Sequence, residues 1–142
     1  MSNKDNPSIG AGFQNEVKEW FIRNYGGEFE VEIKMPIGSP PKDHKFDIVE
    51  KKLKIAIECK CIKWTDSGNV PSAKMAAVNE AAFYLSFLPS TYKKFIVIRY
   101  CYHQKRGETL AQYYYRTYRH LLNDIKVAEY KSETNEFCII DK

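Results

Sequence analysis

No run in the sequence approaches the roughly 18 consecutive apolar residues that a membrane-crossing helix needs, and the opening MSNKDNPSIGAG lacks the apolar centre of a secretory signal. Both absences point to the cytoplasm. Cysteine is scarce: four residues, Cys59, Cys61, Cys101 and Cys138, are too few and too scattered for a disulfide framework, so free thiols are expected. One residue between Cys59 and Cys61 is the wrong spacing for a zinc knuckle, and no second Cys/His pair lies at zinc-site distance. The three histidines, His44, His103 and His120, have no spacing that supports a metal or a catalytic triad. Repeats and low-complexity segments are absent as well. With 142 residues the chain is too short for two comfortable cores, which predicts one domain over 1–142 with a loose polar arm at 1–11.

An excess of one charge is also missing from most of the chain. Residues 1–92 carry 12 Lys/Arg against 12 Asp/Glu. Residues 93–131 carry 9 against 3 and the last eleven 1 against 3, so the formal net charge of +4 comes from the later part of the chain. Such an uneven distribution suits a one-sided phosphate-binding surface, and suits equally a solvated lysine-rich one.

The hydrophobic pattern changes period along the chain. Phe13, Val17, Trp20 and Phe21 recur at helical spacing, and Gly26 and Gly27 end the helix. EFEVEIKM (28–35) alternates apolar and charged, as a strand with one wet face does. KFDIVE (45–50) and KIAIECKCI (54–62) read as a hairpin closed by a charged turn, the second strand being central. AKMAAVNEAAFYLSFL (73–88) predicts a helix with Met75, Val78, Ala82 and Leu85 on one stripe and Ser72 as its cap. KFIVIRYCY (94–102) is a buried strand, 109–124 a third helix, and VAEY and FCII candidate closing strands. The order α-β-β-β-α-β-α-β predicts an α/β fold, a mixed central sheet flanked by helices.

Side chains two apart on a strand share a face, so Glu58 and Lys60 are neighbours on 54–62, and Asp47 on the partner strand comes within cross-strand reach. Two close carboxylates repel unless a cation neutralises them, and hard oxygen donors suit Mg²⁺, with Mn²⁺ as a substitute. Such a metal lowers the pKa of a bound water and neutralises a phosphodiester, while a lysine beside it orients or deprotonates the attacking water. Phosphodiester hydrolysis is the reaction class that fits. The structural alternative is a strand fraying into a charged end.

Asp47 followed by Glu58-Cys59-Lys60 resembles the PD-(D/E)xK nuclease superfamily, which includes type II restriction enzymes and Holliday-junction resolvases. The resemblance covers about residues 10–100. It implies the restriction-endonuclease-like fold, with Asp47, Glu58 and Lys60 as the catalytic centre, and with Asp47, Glu58 and the main-chain carbonyl of Cys59 as metal ligands. Phe46 stands where the family has proline, a change it tolerates. Where the family often has a metal-linked Glu on its first helix, the register falls on Gln14, while Glu16, two residues on, carries the chemistry; each is a candidate ligand.

DNA contacts are expected on the loop leaving the catalytic strand (Lys63, Ser67, Asn69), at Lys74 in the first turn of the second helix, and on a third-helix stripe with Arg116 and Arg119, opposite Ala111, Tyr115, Tyr118 and Leu122. The expected function is a Mg²⁺-dependent DNA endonuclease. The chain is short of room for base-reading loops, which favours a junction resolvase or a repair nuclease that reads DNA shape. A non-cleaving nucleic-acid-binding module on the same fold is the reading from another class. Double-strand cleavage would call for a homodimer. Nothing in the sequence identifies a methyltransferase or helicase partner.

Overall fold

The computed structural model describes residues 7–141. Its first helix, α1 (Pro7–Tyr25), begins five residues before the expected start, because Pro7 fits a first helical turn that needs no amide. Residues 7–11 of the expected arm are therefore helical, and 1–6 lie outside the described residues. Strands β1 (Glu30–Ile37), β2 (Lys42–Glu50) and β3 (Ile55–Lys60) form the meander, and α2 (Ser72–Ser86) leads into β4 (Lys93–Arg99). A two-stranded ribbon then intervenes, β5 (Tyr102–His103) with β6 (Glu108–Thr109). Helix α3 (Leu110–Tyr118) follows and tightens to a 3₁₀ turn over Arg119–Leu121; β7 (Ile125–Lys131) and β8 (Glu136–Ile140) close the chain.

Six strands make one mixed sheet in the order β1-β2-β3-β4-β7-β8. The β3–β4 and β4–β7 pairs are parallel, and the outer pairs antiparallel. β4 is apolar on both faces because helices cover both: Phe95 and Val97 pack with Phe13, Val17 and Phe21 of α1, while Ile96 and Ile98 pack with α2 and α3. The α2 stripe is as expected, with Met75, Val78, Ala82 and Leu85 buried and Ala81 added.

Three local expectations are corrected. Ser72 does not cap α2; Pro71 holds the cap position with no side-chain bond, and Ser72 is already helical. The wholly buried tyrosine of α3 is Tyr114, with Leu110 and Ala111, whereas Tyr115 and Tyr118 are half-buried. Ala111 and Leu122 of the expected stripe are buried, and Tyr114 takes the place expected of Tyr115 and Tyr118. The ribbon adds two strands to the expected order, while β7 and β8 cover the two candidate closing strands. Two-residue strands are too short for alternation to reveal.

Among the described residues no helix is long and apolar enough to cross a membrane, and all four cysteines are free thiols.

Candidate functional site

The β2–β3 hairpin is laddered only from Ile48–Glu50 to Ile55–Ile57. Beyond that the strands separate, and two carboxylates take over. Glu58 Oε2 accepts the amide of Asp47 at 2.7 Å, and Asp47 Oδ2 accepts the amide of Cys59 at 2.8 Å. The strand is irregular at this point. Phe46 and Ile48, two apart, should share a face, yet Phe46 packs on the α2–α3 side and Ile48 on the α1 side. Opposite Asp47 on β1, Glu32 has a positive φ of 53° and leaves the ladder between Val31 and Ile33. The twist turns Asp47 towards β3.

Each carboxylate spends one oxygen on an amide of the other's strand, Oδ2 of Asp47 and Oε2 of Glu58, which leaves Oδ1 and Oε1 for a cation. In a strand the N–H and C=O of one residue point to the same edge, so the carbonyl of Cys59 also faces Asp47. Glu58 is only 6% exposed. Burial, then the Asp47 charge, pushes its carboxyl up to about 8, with the Asp47 amide and Lys60 opposing. Asp47 is raised too, first by burial, while the Cys59 amide and Lys60 hold it down. The pair thus retains a proton in neutral solution and would give it up to a divalent cation. Two carboxylate oxygens, a carbonyl and water make a donor set of the hard type that suits Mg²⁺.

Glu16 and Gln14 do not complete a ring of ligands. Among the described residues no group of three or more His, Cys, Asp and Glu is placed to hold a metal. Glu16 lies instead with Cys61 and Arg99 beside a hollow of about 260 Å³, past the end of β3. Gln14 is half-buried on α1.

The expected DNA contacts fall into two groups. Lys63 and Lys74 share a small hollow of about 40 Å³ with Arg99 and Thr65 at the carboxyl end of β3 and β4. Ser67 and Asn69 are exposed on a loop that closes on itself: the Asn69 amide donates to Thr65 Oγ1 at 2.8 Å and Asn69 Nδ2 to Ser67 Oγ at 3.2 Å. The third-helix stripe does not join them. Arg116 is held by Glu108 through Nε at 2.9 Å and Nη2 at 2.7 Å. Arg119 lines a hollow of about 450 Å³ with Lys93, Lys94 and Lys126, at the amino ends of β4 and β7, the opposite end of the parallel strands from Lys60. Because α3 runs back along the sheet, Arg116 stays beside the ribbon and Arg119 comes to the far end.

Sequence reasoning did not single out Arg99, which lines the hollow with Lys63 and Lys74, or Arg106, which lies over the Trp64 ring. Arg99 is the charged stop of an apolar strand, a signal that was legible; Arg106 sits in a segment, HQKRGE, whose ribbon it could not foresee. His44 is packing: it stacks on Tyr84 at 3.7 Å and meets Phe46 edge-on. No family model, no curated protein and no solved structure matches the chain.

Proposed function

We propose that the protein is a metal-dependent DNA endonuclease, hydrolysing phosphodiester bonds from a restriction-endonuclease-like core. The observation that carries this reading is the cross-bonded pair at the opening of β2 and β3: Asp47 and Glu58 are locked by each other's strand, each with a second oxygen to offer, and Lys60 acts on both. A pair whose role was only to satisfy strand amides would not need two mutually repelling acids in a buried place. One carboxylate or a continued ladder would serve at lower cost. The order of strands, with a parallel β3–β4–β7 centre and the site at its carboxyl end, supports the same reading.

Asp47, Glu58 and the Cys59 carbonyl would hold Mg²⁺, which when bound supplies Lewis acidity to the phosphate and lowers the pKa of a coordinated water. Lys60, on the face shared with Glu58, positions the attacking water and offsets charge gathering on the phosphate oxygens. The amide bonds of Asp47 and Glu58 fix both carboxylates before substrate arrives, so little ordering remains at the moment of reaction. Lys63 and Lys74 lie past the end of β3, where they would meet the neighbouring phosphates.

The test is cleavage of supercoiled plasmid and of a synthetic four-way junction, in Mg²⁺ or EDTA, by wild type and Lys60→Ala. Cutting that needs Mg²⁺ and is lost in the variant is expected, and the better substrate separates a restriction activity from junction resolution. DNA binding by folded wild type without cutting of either substrate would replace the nuclease with a non-cleaving binding module.

A further inference from the structure

The ribbon of β5 and β6 was not expected, and it is built onto the loop that leaves β3. Its base is pinned where Leu110 N donates to Cys101 O at 3.0 Å. Its side rests on the loop leaving β3. There the His103 Nδ1 accepts the Lys105 amide at 3.2 Å, so Nε2 carries the ring proton and donates to the Asp66 carbonyl at 3.0 Å. The tip is closed by Arg106 and Gly107 amides, both donating to His103 O at 2.9 Å. A turn so bonded presents its side chains in fixed positions.

Two of those side chains are cations. Lys105 stands exposed. The Arg106 guanidinium lies 4.6 Å from the centre of the Trp64 ring and 5.5 Å from that of Tyr113, and among the described residues it has no carboxylate partner. Arg116, by contrast, is neutralised by Glu108. An arginine stacked on an indole keeps its N–H edge free and aimed, the form in which arginine binds phosphate. Trp64 directly follows Lys63, on the segment that leaves β3 four residues past Lys60.

We infer that the β5–β6 ribbon is a clamp for DNA, gripping backbone phosphates beyond the one that is cut through Lys105 and Arg106. The inference rests on the nuclease reading for the class of its partner. A two-stranded ribbon fits the major groove of B-form DNA, whereas the deep, narrow groove of A-form RNA does not admit it, so the partner is duplex DNA.

The experiment is fluorescence anisotropy of a labelled DNA duplex in EDTA across a salt series, with plasmid cleavage in Mg²⁺ run beside it. Lys105→Ala/Arg106→Ala is expected to bind about tenfold or more weakly, and the slope of log affinity against log salt should fall by about 2, one for each phosphate left without its cation. Lys105→Ala alone, an exposed change that leaves Trp64 packed, should lower the slope by about 1, and Arg106→Lys should keep most of it. Lys93→Ala/Lys126→Ala, at the other end of the sheet, should bind as wild type does. Wild-type affinity and slope in the double variant would overturn the clamp, as would equal, ribbon-dependent binding of an RNA duplex. Metal-dependent cutting with unchanged binding in the ribbon variants sinks the clamp alone; ribbon-dependent binding without any cutting keeps the clamp and sinks the nuclease.

Discussion

Asp47 and Glu58 hold each other's strands: the amide of Asp47 goes to the Glu58 carboxylate at 2.7 Å, and the carboxylate of Asp47 takes the amide beside Glu58, that of Cys59, at 2.8 Å. Two consequences can be measured without a substrate.

The first concerns pH. Glu58 titrates at about 8 in the folded chain, against 4.5 for an ordinary glutamate. The folded state therefore binds the proton more tightly, and the stability this gives is complete below pH 4.5 and lost as pH rises through about 8. Metal-free protein is expected to lose Tm between about pH 5 and 8 by the equivalent of a few kcal/mol. Glu58→Gln, which cannot ionise, should flatten this slope and melt above wild type at about pH 8. An unchanged slope in the variant would show that another group carries it.

The second concerns metal. A divalent cation bound only by the folded protein stabilises it by about 2.7 kcal/mol at a hundred times Kd. For a chain of this length that is roughly 8 to 11 °C in Tm. Mg²⁺ should raise the Tm of wild type at about pH 8 and leave Asp47→Asn where it was; equal rises in the two would remove Asp47 from the metal site.

Thr109 couples α3 to β7. Its hydroxyl caps α3 by accepting the Gln112 amide, and donates to Glu129 Oε1 at 2.6 Å. Thr109→Ala removes the cap, worth about 1 kcal/mol, and takes the donor from a buried carboxyl, worth about 1 to 3 kcal/mol. A total near about 2 to 4 kcal/mol is expected in urea unfolding. Burial raises the Glu129 pKa and the Thr109 bond opposes the rise. The variant should therefore lose more stability at high pH than at low, and a loss independent of pH would confine the effect to the cap.

Gly68 is where the ribbon meets the loop. Its φ is +85°, and a Cβ there would come within 3.0 Å of the His103 ring. Gly68→Ala carries about 1 to 2 kcal/mol of backbone strain and pushes the ribbon outward. Hydrogen exchange should quicken at the amides of Arg106 and Gly107 while those of β4 stay protected. Equal protection throughout would mean that the ribbon does not lean on Gly68.

Most of the sheet was legible because its strands obey simple periods. Ile33 and Met35 alternate with Glu32 and Lys34, and Phe95 to Ile98 form an unbroken apolar run, so the wet edge and the buried centre announce themselves, although Val31, beside the break at Glu32, is exposed. That Asp47 and Glu58 come together was legible from pairing geometry, since a hairpin fixes which residues oppose each other. What the sequence could not carry was the manner of their meeting. A regular hairpin would set Asp47 and Glu58 side by side on one face; the twist at Asp47 sends each carboxylate to a main-chain amide instead, and no side-chain pattern encodes that. The place of Arg119, at the far end of the sheet from Lys60, was hidden for a related reason. A helix's spacing states which residues share a stripe but not which end of the sheet the stripe overlooks.

The twist at Glu32 has an effect on the outer side of the molecule too. β1 is an eight-residue edge strand, long enough to serve as a template on which another chain could lay itself down. Glu32 breaks the row of main-chain groups near one end, Pro36 has no amide to contribute near the other, and Glu30, Glu32 and Lys34 line the exposed side. The same distortion that turns Asp47 inward therefore guards the flank of the sheet against fibrous self-association.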